Sequence, residues 1–390
     1  MARRVRKPPR PPEQSCNASE SSIRSSLQLF LLPIFVLGLL SANTVSPLGR
    51  NAVAGLSEST PDVTIGVFGL FHPHELTLSA TGHSALVVRA GEERIALERS
   101  SGIPSARLAF SRGQILITSG PHSLRADRIL VGGRKGQPVD FELAVPHKIT
   151  RRYHGTLEIK VEGSELIAIV QMDEEVAVAS VVAAESAPAT PLEMLKAQAV
   201  ATRSYLIAGR GRHEDFDFCD TTHCQVMRET PEPRSSVANA VQATRGMVLT
   251  YESKTITAMY TRSCSGRTHT PSELNMSAGN YPYYPVECAY CRSHPVHWAS
   301  SISREDAIVL RPSDESSRLK LVRRKGWNAV PSNDFVMAKE RDYVLLKGVG
   351  QGHGIGLCQA GAKAMAETGA DFRQILAHYY PNTTIESTIR

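Results

Sequence analysis

The segment VVAAESAPATPLEMLKAQAVATRSY (residues 181–205) begins with small apolar residues and places Glu185 where they end. The apolar run reaches back to Glu174. Because it is apolar on every side, it predicts a buried element. Its composition allows a helix, although its valines also fit a strand. Pro188 and Pro191 end the run, so Glu185 lies at the edge of a buried segment.

The residues after the run predict a second helix. Thr190 is a suitable N-cap, Pro191 suits the first helical position and Glu193 stands three residues after the cap, which predicts a capping box. The helix is expected to end near Gly209. Glu193 then has a structural role, which leaves Glu185 to be explained.

A carboxylate at the position of Glu185 is either solvated in the turn or held in a partly dry cleft. At the end of a helix, both the loss of solvent and the negative end of the helix dipole raise the pKa of a carboxyl group. A carboxylic acid that stays protonated near neutral pH is suited to general acid catalysis. Glu185 is therefore a candidate catalytic acid.

The N-terminal region predicts export. Six Lys and Arg residues against two Glu occupy residues 1–24, and an apolar stretch of about 14 residues follows them up to Ala42. This is short for a membrane span but typical of a signal peptide. We expect a signal peptide or signal anchor in residues 1–42, a linker in 43–60, and a location in the periplasm or cell envelope. Contact with a membrane is expected only through an uncleaved anchor.

The charge distribution argues against nucleic acid as a partner. The chain has 44 Lys and Arg residues against 38 Asp and Glu, a net charge of +6, but the N-terminal residues 1–24 account for +4 of it. The rest has no basic bias, and nucleic-acid binding needs a basic surface.

Short segments rich in Val, Ile, Leu and Thr fill residues 61–171, separated by turn residues at hairpin-like intervals. Helical and strand patterns mix in residues 172–390. The sequence predicts an α+β fold, with a β-rich N-terminal lobe in 61–171 and a mixed α/β catalytic core in 172–390, where helices flank a sheet. Residues 300–345 carry no clear pattern.

A glycine-rich loop covers residues 348–356 and leads into a helix expected from about Gln359 to Gly369. The loop matches neither the phosphate-binding nor the dinucleotide-binding pattern. Its alternating glycines instead predict a close approach of the backbone to another group. His353 in this loop is either structural or functional. Asp371 is expected to cap a last helix, with Gln374 at its third position.

Three motifs taken together resemble the SpoIID/LytB family, which contains stage II sporulation protein D and the amidase enhancer. They are VVAAE with LKAQAVATRSY (181–185 and 195–205), FDFCDTTHCQV (216–226), and GQGHGIGLCQAGAKAMA with ILAHYYPNT (350–366 and 375–383). The resemblance extends from about residue 62 to residue 385.

The resemblance implies an extracytoplasmic protein that acts on peptidoglycan, as a lytic transglycosylase that cleaves glycan strands and prefers strands without peptide stems. The catalytic glutamate of the family falls on Glu185. One carboxylate suffices for such an enzyme, because the C6 hydroxyl of the sugar is the nucleophile and the product is a 1,6-anhydro sugar. Ordinary glycosidases need two carboxylates.

The resemblance assigns further catalytic roles and we expect additional substrate contacts. The expected catalytic residues are Glu185, Lys196, Arg203 and Tyr205. The expected substrate-binding residues are Gln198, Ser263, Gly352, His353 and Gln359. For Lys196 and Arg203 a role as solvated surface cations stays open. The alternative function is a glycan-binding protein that recruits or enhances a cell-wall amidase without cleaving anything itself.

The cysteines leave several interpretations open. Six of the seven follow the leader, in a chain predicted to enter an oxidising compartment. A family member holds zinc with Cys and His from the segment HEDFDFCDTTHC (213–224), which implies structural zinc on His213, Cys219, His223 and Cys224. The alternatives are a Cys219–Cys224 disulfide, a four-cysteine zinc site that joins these two to Cys288 and Cys291, and free thiols.

Two further interpretations concern the remaining cysteines. The segment around Cys264 departs from the family pattern, and a Cys264–Cys358 disulfide is an additional alternative. A cysteine or zinc peptidase is disfavoured, because an exported nucleophilic thiol beside another cysteine tends to oxidise and no HExxH motif is present.

Overall fold

The computed structural model describes residues 62–81 and 85–389. The predicted signal peptide or anchor (1–42) and the predicted linker (43–60) lie outside the described residues. Within the described part, no helix is long and apolar enough to cross a membrane.

Eleven of the described strands precede the first α-helix, and together they form most of one sheet. Their bounds are β1 (Asp62–Val67), β2 (Glu75–Ala80), β3 (Leu86–Ala90), β4 (Glu93–Leu97), β5 (Ser105–Ser111), β6 (Gln114–Ser119), β7 (His122–Ala126), β8 (Arg128–Gly132), β9 (Val139–Val145), β10 (Ile149–Glu162) and β11 (Glu165–Asp173).

Strand β10 organises this sheet, because it is long and changes partners along its length. Residues 149–155 pair with β9, whereas residues further along pair with β11 on one side and β8 on the other. The change occurs at Gly155, where a Cβ atom would lie 2.2 Å from the carbonyl oxygen of Gln171. Only glycine permits this close approach of two strands.

The helices and the remaining strands follow. The helices are α1 (Glu174–Glu185), α2 (Leu192–Ala208), α3 (Ser236–Ala243), α4 (Ala289–Ser293), α5 (Arg304–Val309), α6 (Glu315–Lys325), α7 (Gln359–Glu367) and α8 (Phe372–Tyr379). The strands are β12 (Phe218–Cys219), β13 (Met247–Tyr251), β14 (Lys254–Thr255), β15 (Tyr260–Thr261), β16 (His297–Ile302), β17 (Asp334–Lys339), β18 (Val344–Val349), β19 (Leu357–Cys358) and β20 (Thr384–Ser387).

The apolar run before Glu185 is a helix rather than a strand. Asp173 caps α1, since its Oδ1 accepts a hydrogen bond from the backbone N–H of Glu175 at 2.8 Å. Val178, Val181 and Val182 are fully buried against the sheet. Burial on this face outweighs the modest helix propensity of valine.

The capping box predicted for α2 is wrong. The helix begins at Leu192 with Pro191 as its N-cap and no side-chain cap, while the Thr190 hydroxyl donates to the carbonyl of Ala187. Glu193 instead accepts a hydrogen bond from the backbone N–H of Phe372 at the start of α8. The capping box predicted for α8, between Asp371 and Gln374, is present.

Three apolar cores position the site. The largest joins the β1–β11 sheet to α1 and α2, the second surrounds α7 and α8, and the third lies under the small sheet β16–β18–β17. The prediction of an α+β fold is confirmed. The first core contains residues from both sides of the predicted domain boundary at 171–172. Strand β12, which follows this boundary, pairs with β1, which precedes it. The division into two domains stays a prediction.

Candidate functional site

A cavity of about 870 Å³ contains the candidate catalytic residue. Its lining comes from the end of α1, the loop after β12, the segment around β15, the region 296–331 and the glycine loop. Four of these segments are distant from α1 in the sequence. The cavity is therefore assembled by the tertiary fold.

Glu185 is the last residue of α1 and lines this cavity, half-buried. Its Oε2 accepts a hydrogen bond from Nε2 of Gln359 at 3.3 Å, and the same Nε2 lies 3.3 Å from Oε1 of Gln198. Burial raises the pKa of Glu185, while the Gln359 hydrogen bond and the charges of Arg262 and Arg228 partly oppose this. Among the ion pairs of the described residues, none includes Glu185.

The glycine loop brings Gln359 to Glu185. Gly350, Gly352, Gly354 and Gly356 all have positive φ angles, between 72° and 99°. A Cβ atom on Gly356 would lie 1.9 Å from the carbonyl oxygen of Met259, and one on Gly352 would lie 2.4 Å from Oγ1 of Thr261. The predicted close approach of the loop backbone is therefore made to strand β15 and to Met259, the residue before it.

His353 lines the cavity from the same loop. Its Nδ1 accepts a hydrogen bond from the backbone N–H of Ile355 at 3.0 Å, which places the proton of the neutral ring on Nε2. Burial lowers the pKa of His353 to about 4, so the ring is neutral near pH 7. A neutral imidazole here can donate a hydrogen bond but carries no charge.

A second carboxylate, Glu315, also lines the cavity but is held by partners. Its two oxygens accept hydrogen bonds from Nε and Nη2 of Arg318 at 2.6 and 2.8 Å, and Oε2 also accepts from Asn333 at 2.7 Å. The Arg318 ion pair lowers the pKa of Glu315 although burial opposes this. Glu315 therefore remains an ionised, fixed group, whereas Glu185 can hold a proton.

Two of the predicted catalytic residues lie elsewhere. Lys196 is not among the described residues that line the cavity, and its Nζ pairs with Oε1 of Glu193 at 2.6 Å. Arg203 is fully buried, and its guanidinium binds both oxygens of Glu175 at 2.8 and 2.6 Å. The cations whose charges act on Glu185 are instead Arg262 and Arg228.

The other predicted residues divide between the cavity wall and the layer beneath it. Tyr205 lines the cavity, and burial raises its pKa to about 12 while the guanidinium of Arg212 lies 4.7 Å from its ring centroid. Gly352, His353 and Gln359 also line it. Gln198 is fully buried behind Gln359, and Ser263 is 5% exposed and paired with Gln351. Gln198 and Ser263 therefore lie behind the cavity wall and support the residues that form it.

Sequence reasoning missed the aromatic wall of the cavity. The chain contains two tryptophans, Trp298 and Trp327, and both line the cavity. The Trp298 Nε1–H donates to Oγ of Ser332 at 2.9 Å, and Trp327 is 45% exposed. Tyr260 also lines the cavity, and its hydroxyl hydrogen-bonds to Gln225. The rarity of tryptophan was the available signal, but residues 300–345 showed no pattern that would connect it to the site.

The four predicted zinc ligands converge beside the cavity. His213, Cys219, His223 and Cys224 bring their ligand atoms within 4.8 Å of one another. Nε2 of His213 lies 3.2 Å from Sγ of Cys224, and Nδ1 of His223 lies 3.7 and 3.5 Å from Sγ of Cys219 and Cys224. Two thiols and two imidazoles in this arrangement fit a tetrahedral zinc ion.

The alternative that joins Cys219 and Cys224 to Cys288 and Cys291 is wrong. Cys288 and Cys291 lie in a separate cluster with Cys264 and Cys358. No disulfide joins any of the six cysteines in the described part of the chain.

Comparisons with known proteins agree with the arrangement of motifs. The profile of a family described as SpoIID, stage II sporulation protein, matches residues 162–251. An uncharacterised protein of Brachyspira hyodysenteriae is 29% identical over 266 residues, covering 60% of this chain and 72% of that protein. Stage II sporulation protein D of Bacillus amyloliquefaciens is 26% identical, covering 53% of this chain and 72% of its own length. The amidase enhancer of Bacillus subtilis is 27% identical over half of this chain, but the match spans only 38% of the enhancer.

Proposed function

This chain belongs to the SpoIID/LytB family, and from that premise we propose that it acts on cell-wall peptidoglycan outside the cytoplasm. The finer proposal is that it cleaves glycan strands as a lytic transglycosylase, with Glu185 as the general acid and base. Strands without peptide stems are the expected substrate. The observation that supports the finer proposal is the contrast between the two carboxylates of the cavity.

Glu185 and Glu315 are the two carboxylates among the described residues of the cavity wall. Glu315 is fixed by the bidentate Arg318 contact, so it is poorly placed to exchange protons. Glu185 has an elevated pKa and an amide as its neighbour. One proton-exchanging carboxylate fits a reaction in which the substrate supplies the nucleophile, and a hydrolase of the usual kind would need two.

In the first half of the proposed reaction, protonated Glu185 donates its proton to the glycosidic oxygen. The bond between this oxygen and the anomeric carbon breaks, and positive charge develops on the sugar ring. The Nε2–H of Gln359 donates to Oε2 of Glu185 at 3.3 Å, which fixes the orientation of the carboxyl group. The carboxylate that forms is stabilised by this bond and by the charges of Arg262 and Arg228.

In the second half, the carboxylate of Glu185 accepts the proton of the C6 hydroxyl as its oxygen bonds to the anomeric carbon. The product is a 1,6-anhydro sugar, and Glu185 is again protonated. No water is consumed. Trp298 and Trp327 offer flat apolar surfaces on which sugar rings can lie, and aromatic side chains combine such surfaces with polar edges.

We propose that zinc bound by His213, Cys219, His223 and Cys224 has a structural role. His223 and Cys224 line the cavity, as does the adjacent Gln225. Zinc coordination would supply a rigid cross-link within this loop. The chemistry of the reaction itself uses Glu185.

The test is mass spectrometry of products from stem-stripped glycan strands incubated in ¹⁸O-water. We expect anhydromuramyl ends without solvent oxygen. Hydrolytic ends that carry ¹⁸O would contradict the transglycosylase proposal and would direct attention to Glu315. The Glu185→Gln variant is the control, because an amide cannot donate the proton.

The amidase enhancer among the relatives supports a second candidate, a protein that binds glycan and enhances an amidase without cleaving the strand. Under this proposal the two tryptophans bind sugar, and Glu185 has no chemical role. Binding of stem-free glycan by both the unmodified protein and Glu185→Gln, with no products from either, would favour the enhancer. Trp327→Ala should then weaken binding.

A further inference from the structure

A second cluster of four cysteines lies outside the set of predicted zinc ligands. The sulfur atoms of Cys264, Cys288, Cys291 and Cys358 all lie within 4.8 Å of one another. Each of these residues is at most 2% exposed. The four side chains therefore form a closed, buried set.

Three separate segments contribute to this cluster. Cys288 is the N-cap of α4 and Cys291 lies within that helix, so the pair forms a CxxC turn. Cys358 ends β19 and is the N-cap of α7, and Cys264 follows β15. Strands β15 and β19 pair in parallel, with Thr261 opposite Cys358. The strand pairing and the CxxC turn thus bring all four sulfurs to one point.

The sulfur positions fit one central ion. Sγ of Cys291 lies 3.5 Å from Sγ of Cys358. Four thiolates at about 2.3 Å from a tetrahedral zinc lie about 3.8 Å from each other, whereas the sulfurs of a disulfide are about 2.05 Å apart. Two disulfides would also bring the sulfurs together only in pairs. Because no two of the four sulfurs are more than 4.8 Å apart, they leave space for a single ion but not for a cluster of several iron and sulfide atoms.

The surroundings of the sulfurs suit thiolates. The backbone N–H of Cys264 donates to Sγ of Cys358 at 3.4 Å. The hydroxyls of Ser263 and Tyr379 lie 3.5 Å and 3.6 Å from the sulfurs of Cys291 and Cys288. Donors of this kind orient metal ligands and stabilise their negative charge. Cys358 also lies at the positive end of α7.

Space for this arrangement depends on one glycine. A Cβ atom on Gly361 would lie 2.5 Å from Sγ of Cys288 and 2.1 Å from the hydroxyl oxygen of Tyr379. The first turn of α7 can approach the cluster closely because Gly361 has no side chain.

We propose that Cys264, Cys288, Cys291 and Cys358 bind a single structural zinc ion, as a tetrathiolate site separate from the His213 cluster. Buried thiolates are soft ligands, and a tetrahedral set of four selects zinc or iron over hard cations such as magnesium and calcium. We commit to zinc, which has no redox chemistry and suits a closed structural site.

This site holds together the wall of the cavity. Ser263, which precedes Cys264, pairs with Gln351 of the glycine loop. Cys358 precedes Gln359, whose amide donates to Glu185. The ion therefore fixes the residue that orients the candidate acid. Zinc binding itself does not depend on the proposed reaction.

The first experiment measures metal content by elemental and native mass spectrometry, on full chain purified without chelators. We expect two zinc ions per chain. Cys288→Ser combined with Cys291→Ser should remove one of them. Cys219→Ser combined with Cys224→Ser, the matched control, should remove the other. Full zinc content in the first double variant would overturn the proposal.

The second experiment avoids variants that change the proposed site, because a lost ligand can prevent folding. In the Cys219→Ser, Cys224→Ser protein, X-ray absorption at the zinc edge should show a first shell of sulfur alone. Nitrogen in that shell, or iron in place of zinc, would overturn the proposal. An intact mass that shows two disulfides with no metal would do the same. Glycan cleavage is read separately, so failure of either proposal can be recognised.

Discussion

The carboxylates at the two ends of helix α1 have opposite kinds of partner. At the N-terminal end, Glu174 and Glu175 each have an arginine partner, because Arg210 binds Glu174 at 2.8 Å and Arg203 binds Glu175 at 2.6 Å. At the C-terminal end, Glu185 has the amide of Gln359 at 3.3 Å. The helix dipole favours negative charge at the first end and opposes it at the second.

This difference separates a stabilising site from a reactive one. A carboxylate with an arginine partner holds parts of the fold together. Glu175 connects α1 to α2 and to the backbone N–H of Gly246. A buried carboxylate without an ion pair favours the protonated state. Evolved active sites often contain such groups, because proton transfer needs a pKa close to the working pH.

The largest expected effect comes from Glu185→Gln. We expect the rate of glycan cleavage to fall by about 10²–10⁴-fold, since the amide cannot donate a proton. At pH values above the raised pKa of Glu185, the variant should be more stable than the unmodified protein. Burial raises this pKa, so the ionised form of Glu185 is unfavourable in the folded state. Product formation and urea denaturation measure the two effects.

Glu92→Gln is the control, because Glu92 is exposed in the turn between β3 and β4. A Glu185→Gln protein with the unmodified rate would remove the acid from the mechanism. A lower stability would contradict the contrast between the two ends of α1.

At the opposite end of the helix, Arg203→Met should cost about 3–5 kcal/mol of unfolding free energy, because Glu175 is left buried without its partner. Adding Glu175→Leu should recover much of this loss, since a well-packed apolar pair removes the uncompensated charge. Urea denaturation of the single and double variants tests both statements. Equal stability of the two variants would show that the loss comes from packing.

The pH profile tests the same contrast without a mutation. Because the folded-state pKa of Glu185 is raised, the protonated acid persists above the usual range of a glutamate and is lost as the pH rises through that value. We expect kcat/KM to fall about tenfold per pH unit on the alkaline side. A profile that falls only on the acidic side would indicate that the essential form is the carboxylate.

Gln359→Met is expected to have a smaller effect. It should change the pH at which kcat/KM falls on the alkaline side. The Gln359 hydrogen bond lowers the pKa of Glu185, so its removal should move the fall in activity to higher pH. Loss of the amide also leaves Gln198 without a partner for its oxygen, at a cost of about 1–3 kcal/mol in stability. Gln242→Met, exposed on α3, is the matched control.

Local sequence patterns predicted the features that depend on neighbours in the chain. Glu185 was identified from the apolar run before it, and the glycine loop from its alternation. The capping residue of α8 was identified from the spacing of Asp371 and Gln374. The cap depends on contacts within a few residues and the loop on a residue type that restricts the backbone, whereas the partner of Glu185, Gln359, is 174 residues away.

Partners that are distant in the sequence could not be predicted in this way. Arg203 was expected to be either a catalytic or a solvated surface cation, but it is buried and its partner is Glu175, 28 residues away. Cys264 and Cys358 are separated by 94 residues, so spacing alone did not reveal their convergence with the CxxC turn. Trp298 reaches the cavity from β16 and Trp327 from the segment after α6, and the region 300–345, which contains Trp327, carried no sequence pattern.

Lys196→Ala is expected to have the smallest effect. It tests whether Lys196 has the catalytic role that the family resemblance implies or only the structural contacts that its position shows. Nζ of Lys196 lies 2.6 Å from Glu193 and 5.9 Å from the ring centroid of Phe372, near the start of α8. Half-buried contacts of this kind contribute about 0.5–1 kcal/mol to stability. Because the ammonium pairs with Glu193, we expect an unmodified cleavage rate with this small loss of stability, measured on the same glycan as Glu185→Gln. A loss of activity comparable to that of Glu185→Gln would mean that substrate binding moves α2 relative to the cavity, and that Lys196 has the catalytic role that the family resemblance assigns to it.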